Sequence, residues 1–528
     1  MQKRFLEIVP SEPGKPWAGI VQVMNTNENP IPKRAADSRF EWAGLVALGL
    51  LVCFAAISEQ SYWIDELCTV WKAVQPTVAD WWQAMRAEGD SMLQIPLYEI
   101  FAWAWEKLAG PGEFAMRAGN MLWFLPGLMA LAAALKETPL RRWCASLALL
   151  SSPFAWYYLN EARPYAMQIG ASCMVLAALY QLGPGKNESS RLERRWVIIF
   201  CLGSLVLAAS GMLAMLWLGA YWGGAILSTS IKHLQKLAKA YWACWTMTLA
   251  LLFALGLYYL WTLSIGARAT NAGTTDVKNV LFIFYELLGF TGLGPGRLEI
   301  RYGGFATFRQ WLPWLAVYGV MSLLVLVRGC RQLTMTISRR TWISWLLVFA
   351  LVMGFILAVG VTVRFRVLGR HCAPLLPLVL FLQGIGLASW LKEEKWPWRC
   401  VVVLFLGMSL VSDASVRFSV RHAKDDYRDA AVRGREALAR GESVWWSAEI
   451  QGAWVYQLPV AKQPTTTNAA VFLVNPGMMF LQTLPKPDCV LLSKPDLYDG
   501  QGAIQHYLVQ NNYRVVQRLP AFTVWRKK

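Results

Sequence analysis

The sequence predicts a mainly α-helical, polytopic membrane protein that ends in a small α/β domain, and three observations carry that expectation. The 528 residues are 56% hydrophobic, with a mean hydropathy of +0.35, more apolar than a soluble globular chain. Apolar stretches recur from about Glu41 to Phe418, many of them the roughly 17 to 25 residues a spanning helix needs. Trp, 28 residues in all, repeatedly flanks these runs, as at Trp242 and Trp245, where hydrocarbon meets headgroups.

The net charge of +18 does not point to nucleic acid, because Lys and Arg fall in short clusters beside apolar runs. The ten Cys are scattered singly with no CxxC pair, so they suggest neither a disulfide framework nor a metal site.

Residues 1–40 are polar, basic and Pro-bearing without a hydrophobic signal core, and read as an uncleaved cytoplasmic tail. Because cytoplasmic loops are enriched in Lys and Arg, charge orients the later segments. A first span near Trp42 to Ser58 delivers an acidic, aromatic loop to the outside, and the whole outer loop is taken as 59–112. Its apolar run Met92 to Ala109 contains Pro96, Glu99 and Glu106 and is read as an interfacial helix, since a crossing there would put Arg141 and Arg142 outside. Next come spans near Phe114 to Leu135, Trp143 to Tyr158 and Tyr165 to Leu182. Trp196 to Leu227 is two short helices turning near Ser210 and Gly211. Lys186, Arg191, Arg194, Arg195, Lys232, Lys236 and Lys239 mark the inside. A span near Trp242 to Leu263, a Gly-rich outer loop from Ser264 to Gln310, a return span to Arg328, and three more to Phe418 give about eleven spans in residues 41–418. Residues 419–528 alternate a polar helix pattern (Tyr427 to Ala439) with short strand-like runs such as Ser443 to Trp446 and Cys489 to Leu492, a small α/β domain outside the cytoplasm.

Candidate chemistry begins with the adjacent carboxylates Asp65 and Glu66, just after the first span. On a helix, Asp65, Thr69 and Lys72 share one face, which suits a polar substrate. A transfer that inverts an anomeric centre needs one carboxylate to take the acceptor proton. Acids also favour a helix amino terminus, so capping reads equally well. Glu161 and Arg163 sit between two hydrophobic runs with no long loop to solvate them, so they mark a site or an internal ion pair. Arg117 meets Glu66 or Glu161, or snorkels to headgroups.

Four features stand in one order: Trp63-x-Asp65-Glu66, Pro96-Leu97-Tyr98, Glu113-Phe114-Ala115-Met116-Arg117, and Asn160-Glu161-Ala162-Arg163-Pro164-Tyr165. Together they resemble the GT-C superfamily of membrane glycosyltransferases, in the branch holding protein O-mannosyltransferases, the lipid A aminoarabinose transferase and bacterial polysaccharide or lipopolysaccharide glycosyltransferases. The resemblance covers about Glu59 to Leu182. It implies a GT-C fold in a bacterial inner membrane with an extracytoplasmic active site. It implies a polyprenyl-phosphate sugar donor, a glycan, lipid or protein acceptor, and Asp65 as catalytic base beside Glu66. Tyr98, Arg117, Glu161, Arg163 and Tyr165, which lie in these motifs, and Lys72, on the face of Asp65, are candidates for binding donor or acceptor. Relatives carry His or Lys and a second Pro before Pro-Leu-Tyr where this chain has Gln94 and Ile95. Metal is left open, because some relatives bind one and others do not.

The charge count places Arg364 to His371 outside, where three Arg and one His with no acid violate the usual bias. If helical, Arg366 and Arg370 share a face, and Arg364, Arg366, Arg370 and His371 are expected to hold the donor phosphate. Anionic headgroups, or a count off by one, explain the same charges. A lipid or solute transporter using Asp65, Glu161 and Arg163, and a non-catalytic assembly subunit, are the alternatives to an enzyme.

Overall fold

The structure, a computed structural model, describes residues 35–88, 91–136, 138–183, 190–266, 273–335, 337–393, 395–462 and 468–528. Most of the expected tail, and Lys186, lie outside these. The chain forms two units, 1–48 and 49–528. Helix α1 (Ala35–Ala56) runs from the first into the second, and the second unit holds all the other elements.

The first loop is helical: α2 (Ile64–Ala73), α3 (Val78–Glu88) and α4 (Pro96–Ala109). Glu66, at the third position of α2, accepts a hydrogen bond from the Trp63 amide at 3.3 Å, which closes the first turn. Pro96 opens α4, where a missing N–H costs nothing. Then come α5 (Glu113–Ala118), α6 (Met121–Ala134), α7 (Pro139–Leu150), α8 (Pro153–Leu159) and α9 (Tyr165–Leu182). The expected span Trp143 to Tyr158 is two helices, because Pro153 cannot continue α7 and starts α8 with Ser152 as its cap.

After α10 (Ser190–Ala209) the chain turns at Ser210 and Gly211 into α11 (Met212–Ser228), and α12 (Ile231–Ala240) leaves α11 at 119°. Next are α13 (Trp242–Ser264), α14 (Val277–Leu287), α15 (Arg297–Gly303), α16 (Leu312–Thr334), α17 (Arg339–Thr362), α18 (Leu376–Lys392) and α19 (Trp396–Phe418). The region expected as a Gly-rich loop thus carries α14 and α15.

Among the described residues seven helices are long and apolar enough to cross a membrane, or eight if α11 with α12 counts as one; the chain is an integral membrane protein. The count of about eleven included three segments that are too short, broken or too charged at one end to qualify. α6 has 14 residues, about 21 Å against a core of about 30 Å. α7 and α8 are broken at Pro153, and α10 begins with Arg191, Glu193, Arg194 and Arg195.

The carboxy-terminal part has α20 (Tyr427–Ala439), β1 (Val444–Ser447), α21 (Ile450–Val455), β2 (Val460–Ala461), β3 (Ala470–Phe472), α22 (Met478–Thr483), β4 (Cys489–Ser493), α23 (Pro495–Tyr498), α24 (Ala503–Gln510), β5 (Tyr513–Leu519) and β6 (Phe522–Lys527). The sheet order is β2-β3-β1-β4-β6-β5, parallel through β4 and antiparallel at β6 and β5. β1 and β4 are buried along their whole length, as central strands covered on both faces require. Alternation sends Trp446 to Tyr427 and Phe522 and Trp445 to Tyr507 on the other face. The Trp446 face shares one core with Tyr62, Leu67, Val70 and Tyr98, so the α/β domain is seated on the first loop.

Candidate active site

Asp65 and Glu66 are neighbours in α2, and helical geometry turns them about 100° apart. Glu66 points inward and is fully buried. Arg117 clasps it through Nε to Oε1 and Nη2 to Oε2, both at 2.8 Å. Lys424 donates to Oε2 at 2.9 Å and the Ala162 amide to Oε1 at 2.7 Å. Burial opposes the charge, but Arg117, then Lys424, outweigh it and hold the carboxyl down at about 2. Both carboxylate oxygens of Glu66 are thus occupied from within the protein, which leaves little to offer a substrate. Arg117 spends its other N–H groups on the carbonyls of Ser58 and Gln60, at 2.8 and 2.7 Å. It is likewise withdrawn from any ligand.

Asp65 faces outward, with its side chain 26% exposed. Arg370 donates through Nη1 to its Oδ2, and Arg163 donates to its backbone carbonyl at 3.2 Å. Burial works to raise this carboxyl, but Arg370 and Arg163 prevail and keep it below the usual range. Arg163 also donates to the Thr69 hydroxyl at 3.0 Å, and Thr69 donates to Glu99 at 2.8 Å.

The turn Asn160 to Tyr165 is fixed from behind. Asn120 donates to the carbonyls of Glu161 and Leu159 at 2.6 and 3.1 Å, and buried Tyr98 donates to Asn120 at 3.3 Å. Tyr98 therefore positions this turn. Glu161 is fully buried, and neither carboxylate oxygen has a hydrogen-bond partner among the described residues. Its nearest described cation is Arg297 at 3.6 Å. Burial, against Lys424 and Arg297, pushes it up to about 7. Arg297 donates to Glu286 at 2.7 Å and to the Tyr158 hydroxyl at 3.0 Å, with its guanidinium 4.0 Å from the Tyr157 ring centre. Tyr165 packs edge-on against Tyr158 at 4.8 Å.

Two expectations are corrected. Lys72 does not join Asp65: it is buried and pairs with Glu88 at 2.5 Å, tying α2 to α3. The stretch 364–368 is not helical, with Arg364 in the left-handed region at φ 56, so Arg366 and Arg370 do not share a helix face. Arg364 and Arg366 lie toward the surface, the latter beside Gly273. His371 accepts the Leu368 amide at 2.9 Å through Nδ1 and caps the turn. Of the four, Arg370 is the one that reaches the Asp65 carboxylate.

Sequence reading missed Lys424, Arg297 and Glu286. Lys424 follows the last span by six residues and breaks the same charge rule as Arg370. Arg297 follows the Gly294-Pro295-Gly296 turn at the head of α15. Among the described residues, no three His, Cys, Asp or Glu are grouped as for a metal ion.

No family model matches the sequence, and no curated protein matches it. Among solved structures, the chain is similar to ArnT from Cupriavidus metallidurans in the apo state, with TM-score 0.51 and 13% identity, over 93% of this chain and 98% of that one. The same ArnT bound to undecaprenyl phosphate gives 0.48 and 14%, over 92% and 98%. The arabinofuranosyltransferase AftD from Mycobacteria gives 0.40 and 14%, over 92% and 40%. At 13% identity the likeness speaks to fold alone, and on that ground the chain has the fold of ArnT.

Proposed function

We propose that the protein is an inverting glycosyltransferase that moves a sugar from a polyprenyl-phosphate donor to an acceptor on the outer face of the membrane, with Asp65 as general base. The observation that carries this reading is the division of labour in α2: Glu66 is saturated by Arg117, Lys424 and Ala162, while Asp65 faces outward with a guanidinium on its carboxylate. The ordered motifs and the ArnT fold support it.

In the reaction the acceptor hydroxyl attacks the anomeric carbon from the face opposite the phosphate. The new C–O bond forms, the bond to the phosphate oxygen breaks with its electron pair going to phosphate, and the hydroxyl proton passes to Asp65. Phosphate is a good leaving group, so the protein needs cations more than an acid. Arg370 and Arg163 are the guanidiniums about Asp65, and as donor phosphate binds, Arg370 shifts from carboxylate to phosphate, stabilising the charge that grows there. Losing Arg370 leaves Asp65 more basic when the proton must be taken.

The test is transfer from labelled polyprenyl-phosphate sugars by purified protein. Asp65→Asn keeps the shape and should lower turnover by about a hundredfold or more. Near-normal turnover by a folded Asp65→Asn protein would refute the assignment.

A further inference from the structure

A cavity of about 540 Å³ opens between the first loop and the carboxy-terminal domain, and Asp65 is not among its lining residues. Its size falls within the range of small-molecule sites, and a seam between two packed parts of a chain is where such sites concentrate. Trp454 and Tyr456 come from α21 and the turn after it, Tyr62 from the segment before α2, Glu113 from the head of α5 and Arg428 from α20.

The chemistry of this lining is particular. Trp454 packs on Trp71 with the rings tilted by 39° and centroids 4.6 Å apart, yet the residue is 38% exposed. That leaves a supported aromatic surface open to the cavity. Gln457, also in the lining, is held in the left-handed region at φ 56, a conformation a non-glycine residue keeps only under constraint. Glu113 accepts from Arg428 at 3.1 Å and from the Tyr456 hydroxyl at 3.0 Å, so the lining presents a carboxylate and a guanidinium with their charges already matched.

A sugar ring has an apolar C–H face and a rim of hydroxyls that both donate and accept. An aromatic wall beside paired carboxylate, guanidinium and amide groups is complementary to that pattern. A phosphate or other anion fits less well, because Arg428, the cation of the lining, is neutralised by Glu113. The cavity is also tied to the chemistry. Tyr62 precedes Asp65 by three residues, and the helix of Glu113 carries Arg117, which grips Glu66.

We propose that this cavity is a subsite for a neutral oligosaccharide, the part of the acceptor beyond the sugar that reacts; this rests on the glycosyl-transfer function proposed for Asp65. The acceptor is then a glycan chain, held by Trp454 while its end reaches Asp65.

The test uses the full-length protein in nanodiscs. The probe is neutral oligosaccharide released by mild acid from the envelope polysaccharide of the producing cells, followed by saturation-transfer NMR and titration. Trp454→Ala should weaken binding at least about tenfold, as loss of a buried aromatic anchor does, Trp454→Phe should keep most of it, and Asp65→Asn should bind like wild type. In transfer assays Trp454→Ala should raise KM for the oligosaccharide while KM for the donor and kcat stay put. Equal binding by Trp454→Ala and wild type, no binding by wild type, or displacement of the probe by glycerol phosphate would overturn the proposal. A fall in kcat with unchanged acceptor KM would do so too, since it marks Trp454 as merely structural. Full transfer by Asp65→Asn, with oligosaccharide binding intact, would instead sink the catalytic reading, so the two failures are distinguishable.

Discussion

Two carboxylates one residue apart have opposite fates, and their environments predict opposite responses to neutralisation. Glu66→Gln leaves Arg117 and Lys424 buried around a group that no longer carries charge, which should cost about 3–5 kcal/mol of stability. Asp65→Asn, at a partly exposed site, should cost little. Thermal unfolding in detergent reads both; equal losses would remove the distinction. Asp65 also sets a pH prediction. Its folded pKa is depressed, so its stabilising pair with Arg370 is complete above the ordinary carboxylate range and is lost as pH falls through the folded value. Arg370→Gln removes a cation that holds it down, and the acid limb of the rate profile should move to higher pH. Glu161 runs the other way. Its pKa rises from the ordinary 4.5 to about 7, so stability is highest below the ordinary value and falls as pH rises through the folded one. Glu161→Gln should therefore flatten the fall in stability between the ordinary 4.5 and about 7, and an unchanged slope would mean that Glu161 is compensated in the native protein. The ordered motifs made Asp65, Glu66, Arg117, Glu161 and Arg163 legible as candidates. What they did not reveal was which carboxylate is occupied, because Lys424 lies 358 residues from Glu66 and no local spacing records that meeting.

At the scale of helices, apolar length was readable and continuity was not. A window average passes over Pro153 and over the charges that open α10, since the apolar residues around them keep the mean high. Close helix approach was also hidden, because it takes two residues on different helices. A Cβ on Gly170 of α9 would lie 2.1 Å from the carbonyl oxygen of Trp123 on α6, and one on Gly127 would lie 2.5 Å from the Cα of Gly170. Small residues let the backbones touch where lipid supplies no hydrophobic drive. Gly329 and Gly386 do the same for α16 and α18, with 1.9 Å to the Leu382 carbonyl oxygen and 2.2 Å to that of Val325. Gly170→Ala must push α6 and α9 apart, and α9 begins at Tyr165, directly after the Glu161–Arg163 turn. We expect a lower unfolding temperature and reduced transfer. Gly407→Ala in α19, where nothing lies within 4 Å, is the control and should be silent or mildly stabilising, since Ala is the better helix former. Equal behaviour of the two would mean that the α6–α9 contact gives way freely.

At the scale of the whole molecule, the contacts constrain which parts share a face of the membrane. Both ends of α4 are held to one short stretch before and within α2: Glu99 accepts from Thr69 at 2.8 Å, Lys107 donates to the Ala73 carbonyl at 3.2 Å, and Tyr62 donates to the Pro111 carbonyl at 2.8 Å. A helix so tethered cannot carry one end across a core of about 30 Å, so in our reading α4 lies along the interface. The carboxy-terminal domain is held to the same side, with Gln451 donating to Glu88 at 3.1 Å and Lys424 to Glu66. Arg301 of α15 pairs with Asp496, which brings the α14–α15 region there as well. The charge bias assigns that side to the exterior and Arg339, Arg340 and the α12 lysines to the cytoplasm. In this proposal residues 1–40 are the cytoplasmic tail, 41–418 the membrane domain and 419–528 the outer domain. Single Cys reporters at exposed positions of a Cys-free protein test it with an impermeant thiol reagent. Thr77, Tyr302 and Met479 should react from outside in intact cells, and Thr138, Gln235 and Arg339 should react only after permeabilisation. The informative position is Thr138, at the head of α7. Its labelling from outside would mean that the 14-residue α6 does not cross and that α7 and α8 do not return. Asp65 and Glu161 would still lie together on the outer side; if instead Thr77 and Met479 reacted only after permeabilisation, the machinery would face the cytoplasm, and a donor presented on the cytoplasmic leaflet would become the reading to test.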